Sequence, residues 1–335
     1  MEAHKGAITV IDHAGDTVIN CCNEAGDTLE NFLVSSKVIS LSSPVLRVML
    51  DPSKPYARSK SLSSEKIEIK STLGQPRFMK TILHALHYQN RQVPMEFPLQ
   101  DLASLAEICD FYDLSEALKP WTLQWTLKLW ASDGKSLDLG LWCRMAIAFS
   151  DMNILDEVMV QLIKKSKKDK EGVIVPLGES CFPCSLPKGL PNTIWRKREN
   201  LLKFLIQKLD YECKKYKSIG FTDSLVCKED QAHGTARRCD SAQLAAICKI
   251  GIALGYPVLD WSAISLEEVL TVFRSAKDDG LDIGYHKSDV YRNSGDHSVC
   301  SVTGRIRAAA DRVSRALEDI TYYDLINGGS EVIFS

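Results

Sequence analysis

The fold of the first third of this chain is decided by the stretch Phe32-Leu33-Val34-Ser35-Ser36-Lys37-Val38-Ile39-Ser40-Leu41-Ser42-Ser43-Pro44-Val45-Leu46-Arg47-Val48-Met49-Leu50. It begins with the apolar end of a predicted strand, residues 28–34. Ser43 is a preferred N-cap residue, and proline suits the first helical position, so a short helix is predicted to begin at Pro44. A strand that passes into short helical segments is therefore expected here.

The residues around this stretch predict a small sheet followed by helices. Residues 17–22 and 28–34 are β-rich runs separated by the turn signal Gly26-Asp27, which indicates a hairpin. In residues 66–70, isoleucines alternate with charged residues, which is the period of a half-buried strand. Apolar residues at helical spacing follow, beginning at Pro76. The pattern predicts an α+β domain with a three-stranded sheet and helical hairpins.

A change of composition separates this region from the rest of the chain. Residues 164–171 (KKSKKDKE) form a charge run, and the next twenty or so residues are rich in Gly and Pro. Beyond them, apolar residues recur at helical spacing. We predict an α+β domain over 15–130, a helical extension over 131–165, a linker over 166–193 and a mostly α-helical region over 194–335.

Composition narrows the class of protein. The chain has 335 residues, of which 45% are apolar, and a formal net charge of −2. Such a charge does not steer a protein to nucleic acid or to an anionic membrane, so both are unexpected partners. No apolar run has the length of a signal peptide or a membrane span. We expect an intracellular protein of the cytoplasm or nucleus, in which the 11 cysteines are mostly reduced.

Several of these strings together resemble the BTB/POZ family, and in particular the group of BTB proteins common in fungi. Residues 32–50 resemble the core signature, in which a strand leads into a short helix and a Ser-Pro pair caps the next helix. Residues 82–89 (ILHALHYQ) and 102–112 (LASLAEICDFY) resemble the helices that follow. The resemblance covers residues 15–130.

The resemblance implies a protein partner, or self-association, at the face built from the helical hairpins. Side chains expected near that face are Met49, Leu50, Tyr56, Tyr88 and Tyr112. Family members that bind a cullin scaffold often carry an apolar-x-Glu motif just after the Ser-Pro helix. Residues 51–58 (DPSKPYAR) lack such a Glu, which weighs against a role as a ubiquitin-ligase adaptor.

Cysteines in the second half raise the question of a metal site. Structural zinc sites are built from four Cys or His ligands, and Cys181 and Cys184 form one C-x-x-C pair. No second C-x-x-C and no H-x-x-x-H accompanies this pair, so ordinary thiols are favoured and no metal is predicted. The weak candidates for ligands are Cys181, Cys184, Cys213, Cys227, His233 and Cys239.

Sequence signatures of common enzymes are missing from the chain. It contains no phosphate-binding glycine loop, nucleophile elbow, H-E-x-x-H or paired-carboxylate constellation. We therefore expect no catalysis and no cofactor, and predict a protein-interaction module that acts as an adaptor or scaffold. The alternative is a zinc-stabilised or nucleic-acid-linked regulatory protein with residues 194–335 as the effector.

Overall fold

Two compact units make up the protein. The structure is a computed structural model that describes residues 8–23, 25–51, 53, 66–70, 76–133, 138–168, 174–175, 189–217, 225–227, 235–256, 261–277 and 300–327. Of these described residues, those up to Val158 belong to the N-terminal unit and those from Met159 onward belong to the C-terminal unit. Among the described residues, no helix is both long and apolar enough to cross a membrane.

The N-terminal unit contains a four-stranded sheet. Its strands are β1 (Ile8–Val10), β2 (Thr17–Cys22), β3 (Thr28–Val34) and β4 (Lys66–Lys70). Their lateral order is β1-β3-β2-β4. The strands β2 and β3 form an antiparallel hairpin, whereas β1 lies parallel to β3 and β4 lies parallel to β2. The three predicted strands are confirmed, but the prediction of a three-stranded sheet is corrected by β1.

The decisive stretch folds as a strand followed by two short helices, α1 (Ser36–Ser42) and α2 (Pro44–Leu50). The Ser35 side chain accepts the Val38 N–H in the first turn of α1, and the Ser43 side chain accepts the Leu46 N–H in the first turn of α2, where Pro44 takes the first position. Apolar side chains of all three elements are buried, including Phe32, Val34, Ile39 and Leu46. The predicted change from strand to Ser-Pro-capped helix is therefore confirmed.

The remaining described elements of the N-terminal unit are a short 3-10 helix, Asn90–Gln92, and five α-helices. The α-helices are α3 (Pro76–Leu86), α4 (Leu99–Phe111), α5 (Ser115–Asp133), α6 (Leu139–Ala148) and α7 (Met152–Lys165), the last of which continues past the unit boundary. In the sequence, apolar residues at 145, 149, 152, 159 and 162 recur at helical spacing and predict one long helix. The structure has two, because Ser150 adopts a left-handed conformation (φ 53°) and the Asp151 carboxylate caps α7 by accepting the Ile154 N–H.

The C-terminal unit is a helical assembly with a short hairpin. Its elements are β5 (Lys167–Lys168), β6 (Ile174–Val175), α8 (Leu190–Lys217), α9 (Thr235–Leu254), α10 (Leu266–Ser275), α11 (Val302–Glu318) and α12 (Tyr322–Ile326). The hairpin and the first turn of α8 lie inside the predicted 166–193 linker. The described residues of that range therefore belong to folded elements, and the linker prediction is wrong for them. The helices α9, α10, α11 and α12 all contact α8.

Helix boundaries in this unit follow capping chemistry. A capping box begins α10, where the Ser265 and Glu268 side chains bond reciprocally to each other's backbone N–H, as the S-x-x-E pattern of residues 265–268 predicts. The apolar stripe near the C-terminus of the sequence predicts one helix over about 299–326. A second capping box, between Thr321 and Asp324, begins α12 and separates it from α11. Across the residues that the structure describes, the protein has a small N-terminal sheet and a mostly helical remainder.

Candidate functional site

The turn after α3 presents an exposed aromatic side chain. The Gln89 N–H bonds to the His84 carbonyl and the Tyr88 N–H to the Ala85 carbonyl, which is a Schellman ending of the helix. Tyr88 takes the left-handed position of this motif (φ 58°), where glycine is usual, and its residue surface is 86% exposed. An open concavity of about 510 Å³ is lined by residues 88–92.

A side-chain hydrogen bond joins this turn to the sheet. The Gln89 Nε2 atom donates to the Ile11 carbonyl at 2.5 Å, immediately after β1. Among the described strands, β1 lies at one edge of the sheet, and its Ile8 and Val10 are 53% and 43% exposed. We call Ile8, Val10 and Tyr88 the edge surface.

The residues predicted for a partner face have different environments. Met49 and Leu50 are half-buried near the end of α2, and Tyr88 is exposed. Tyr56 lies outside the described residues. Tyr112 is buried, and its carbonyl accepts a 2.5 Å hydrogen bond from Ser43 Oγ. Tyr112 therefore belongs to the core, which corrects its predicted place at a surface.

Three cysteines converge in the C-terminal unit. Cys227 lies in a short described segment, Cys239 in the first turns of α9, and Cys300 just before α11. Their sulfur atoms all lie within 4.8 Å of one another, and the Sγ atoms of Cys300 and Cys227 are 3.7 Å apart. We call these residues the thiol cluster. Cys227 and Cys239 are buried, while Cys300 is half-buried.

The backbone around the thiol cluster is held by polar side chains. The buried Asp240 carboxylate accepts the N–H groups of Val226 and Cys227 at 2.8 and 2.9 Å. On the next turn of α9, Gln243 Oε1 accepts the Val302 N–H at 2.7 Å, next to the N-cap of α11. These bonds attach both cysteine-bearing segments, the one at 227 and the one at 300, to the helix that carries Cys239.

An ion pair between buried Glu212 and half-buried Arg305 lies beside the cluster. Arg305 donates to the Cys300 carbonyl at 3.1 Å and to both carboxylate oxygens of Glu212 at 3.0 and 2.9 Å. Burial opposes ionisation of Glu212, but hydrogen bonds from Arg305 and Lys208 outweigh it and lower the pKa of this carboxyl group. The pKa of Arg305 is raised, first by its hydrogen bonds to Glu212. The pair connects α8 to α11.

The pKa values of two thiols in the cluster are raised. Burial, together with the adjacent thiols, raises the pKa of Cys239 and of Cys300. Cys239 and Cys300 therefore favour the protonated thiol form when no cation lies between the sulfur atoms. Soft cations prefer thiolate ligands, so a metal ion is the kind of group that this arrangement suits.

The structure brings together only part of the predicted ligand set. Cys227 and Cys239 belong to the cluster, and Cys300 had not been singled out from the sequence. Cys213 is buried on α8 but is not a member of the group. Cys181, Cys184 and His233 lie outside the described residues. The spacing of 227, 239 and 300 matches no common motif, so the sequence offered no signal for Cys300 beyond its being a cysteine.

Comparisons with family models, curated proteins and solved structures gave no match. The edge surface of the N-terminal unit and the thiol cluster of the C-terminal unit are therefore the two features from which function is inferred.

Proposed function

We propose that this chain is a non-catalytic protein-interaction module, an adaptor or scaffold, whose N-terminal unit is BTB/POZ-like and recognises a protein partner at the edge surface. The family resemblance implies a strand, a short helix and a Ser-Pro-capped helix in that order, and residues 28–50 have this order. The sheet beside helical hairpins also supports the proposal.

Tyr88 is the observation that carries the proposal. The left-handed conformation costs a residue with a side chain about 1–2 kcal/mol, and glycine avoids this cost. The ring recovers little by burial, since Tyr88 is 86% exposed. An aromatic residue at such a position contributes more to a binding surface than to the fold, because exposed tyrosines are frequent anchors of protein interfaces.

The neighbouring strand supplies a second element of the surface. β1 is a short edge strand, and edge strands can pair with an extended segment of another chain. Its exposed apolar residues, Ile8 and Val10, are unusual at an edge, where natural proteins commonly place charges. The Gln89–Ile11 bond holds the Tyr88 turn beside the end of β1. We infer that the partner adds an extended segment along β1 and covers the Tyr88 ring.

The proposal is tested by comparing two exposed apolar residues. Tyr88→Asn keeps the backbone conformation, because Asn tolerates the left-handed region, but removes the ring. Ile252→Gln is the matched control, since Ile252 is 78% exposed on α9 in the other unit. Self-association is measured by light scattering over a wide range of concentrations, and binding of other proteins by quantitative affinity purification with mass spectrometry.

The expected result is that the wild-type chain and Ile252→Gln bind the same protein, or form the same dimer, while Tyr88→Asn binds about tenfold more weakly or worse. Purified cullin is included as one defined partner. The proposal fails if Tyr88→Asn has the same mass at every concentration as the wild type and retains the same proteins.

A further inference from the structure

The spacing of the thiol cluster agrees with a tetrahedral metal site. Zinc binds thiolate sulfur at about 2.3 Å, so the sulfur ligands of one tetrahedral ion stand about 3.8 Å apart. The Sγ atoms of Cys300 and Cys227 are 3.7 Å apart, and every pair in the cluster is within 4.8 Å. A small contraction of the group would therefore bring all three sulfurs to the distances of a single ion.

Packing alone explains this cluster less well than metal binding. A reduced buried thiol behaves as a small apolar side chain, and Cys109 and Cys143 are buried without belonging to any such group within the described residues. At the cluster, by contrast, three separate segments of the chain bring their sulfurs together. Polar side chains bond the backbone on either side, as Asp240 does at Cys227 and Arg305 at Cys300. These bonds fix the backbone positions from which two of the three thiols project.

We propose that Cys227, Cys239 and Cys300 form a structural metal site that binds a thiophilic divalent cation, Zn²⁺, as three thiolates. Each thiol releases one proton to solvent when the cation binds, and no oxidant or reductant is needed. A fourth donor, from the protein or from water, completes the tetrahedron. The ion would join the 225–227 segment, α9 and the start of α11, and so stabilise the C-terminal unit.

The test begins with metal analysis of the full chain, produced with zinc in the medium and purified under reducing conditions without chelator. The expected content is about one equivalent of zinc per chain, which Cys239→Ser reduces to less than about a tenth. Cys213→Ser is the matched control, because it alters another buried cysteine of the same unit and should leave the zinc content unchanged.

A second variant and a spectroscopic measurement guard against misfolding. Cys300→Ser replaces the half-buried ligand and should lower zinc content at least tenfold while circular dichroism shows wild-type helix content. X-ray absorption of the zinc-loaded wild type should show three sulfur neighbours at about 2.3 Å, and its light-atom shell identifies the fourth donor.

Two results would overturn the proposal. One is a wild-type protein that, after reconstitution with zinc under reducing conditions, holds less than about a tenth of an equivalent. The other is equal loss of zinc in Cys213→Ser and Cys239→Ser, since that would place the ion elsewhere. Neither result bears on the edge surface, which lies in the N-terminal unit and is tested by binding of a protein.

Discussion

Replacing Ser43 with alanine removes one oxygen that makes two buried hydrogen bonds. Ser43 is fully buried; its Oγ accepts the Leu46 N–H at 2.9 Å and donates to the Tyr112 carbonyl at 2.5 Å. Loss of the N-cap costs about 1 kcal/mol, and taking the donor from a buried carbonyl costs about 1–2 kcal/mol more. We therefore expect Ser43→Ala to lower the free energy of unfolding of the N-terminal unit by about 2–3 kcal/mol.

Ser35→Ala is the matched control for this prediction. Ser35 caps the adjacent helix with a longer bond of 3.4 Å and is only half-buried, so its loss should cost about 0.5–1 kcal/mol. Urea unfolding is followed by hydrogen exchange in peptides from α3 and α4, which report on the N-terminal unit alone. A Ser43→Ala variant no less stable than Ser35→Ala would refute the role of the link between α2 and the end of α4.

Three further predictions concern charge and backbone conformation. Glu212→Gln should lower the free energy of unfolding of the C-terminal unit by about 2 kcal/mol, measured by urea unfolding, because it removes charge-assisted bonds to Arg305; an unchanged value would contradict this. The pKa of Glu212 is lowered on folding, so its contribution is complete above the ordinary value of 4.5 and disappears as the pH falls through the folded pKa. The wild type should therefore lose stability more steeply than Glu212→Gln in an acid titration, and parallel curves would exclude this cause. Tyr88→Gly should leave the stability of the N-terminal unit within about 1 kcal/mol of the wild type or raise it, as measured by thermal unfolding, because glycine adopts φ 58° freely. A larger loss would mean that the ring supports the fold.

Local patterns were sufficient for most elements of the N-terminal unit. Alternation and turn residues predicted the three strands with their observed bounds, and the Ser43-Pro44 pair predicted the start of α2, because these signals depend on a few adjacent residues. Local patterns did not predict that β1 belongs to this sheet. It has three residues, and its parallel pairing with β3 depends on the tertiary position of both.

The predictions that the structure corrects failed because of tertiary contacts as well. The apolar period passes through Ser150 without interruption, but Asp151 is buried, caps α7 and accepts a hydrogen bond from Thr126 of α5. That contact cannot be seen in a local pattern. The thiol cluster could not be predicted for the same reason, because Cys300 approaches Cys239 only when α9 and α11 pack together. Tyr112 was misplaced because its aromatic character fits either a surface anchor or the core.

The length of α8 limits how the C-terminal unit can be divided. Its 28 residues extend about 42 Å, and four other helices contact it. A fragment that begins after Lys217 would uncover the apolar sides of those helices together and would be prone to aggregate. Truncation from this side, whether by a protease or by gene rearrangement, should therefore abolish the whole unit in one step instead of leaving a smaller folded remnant.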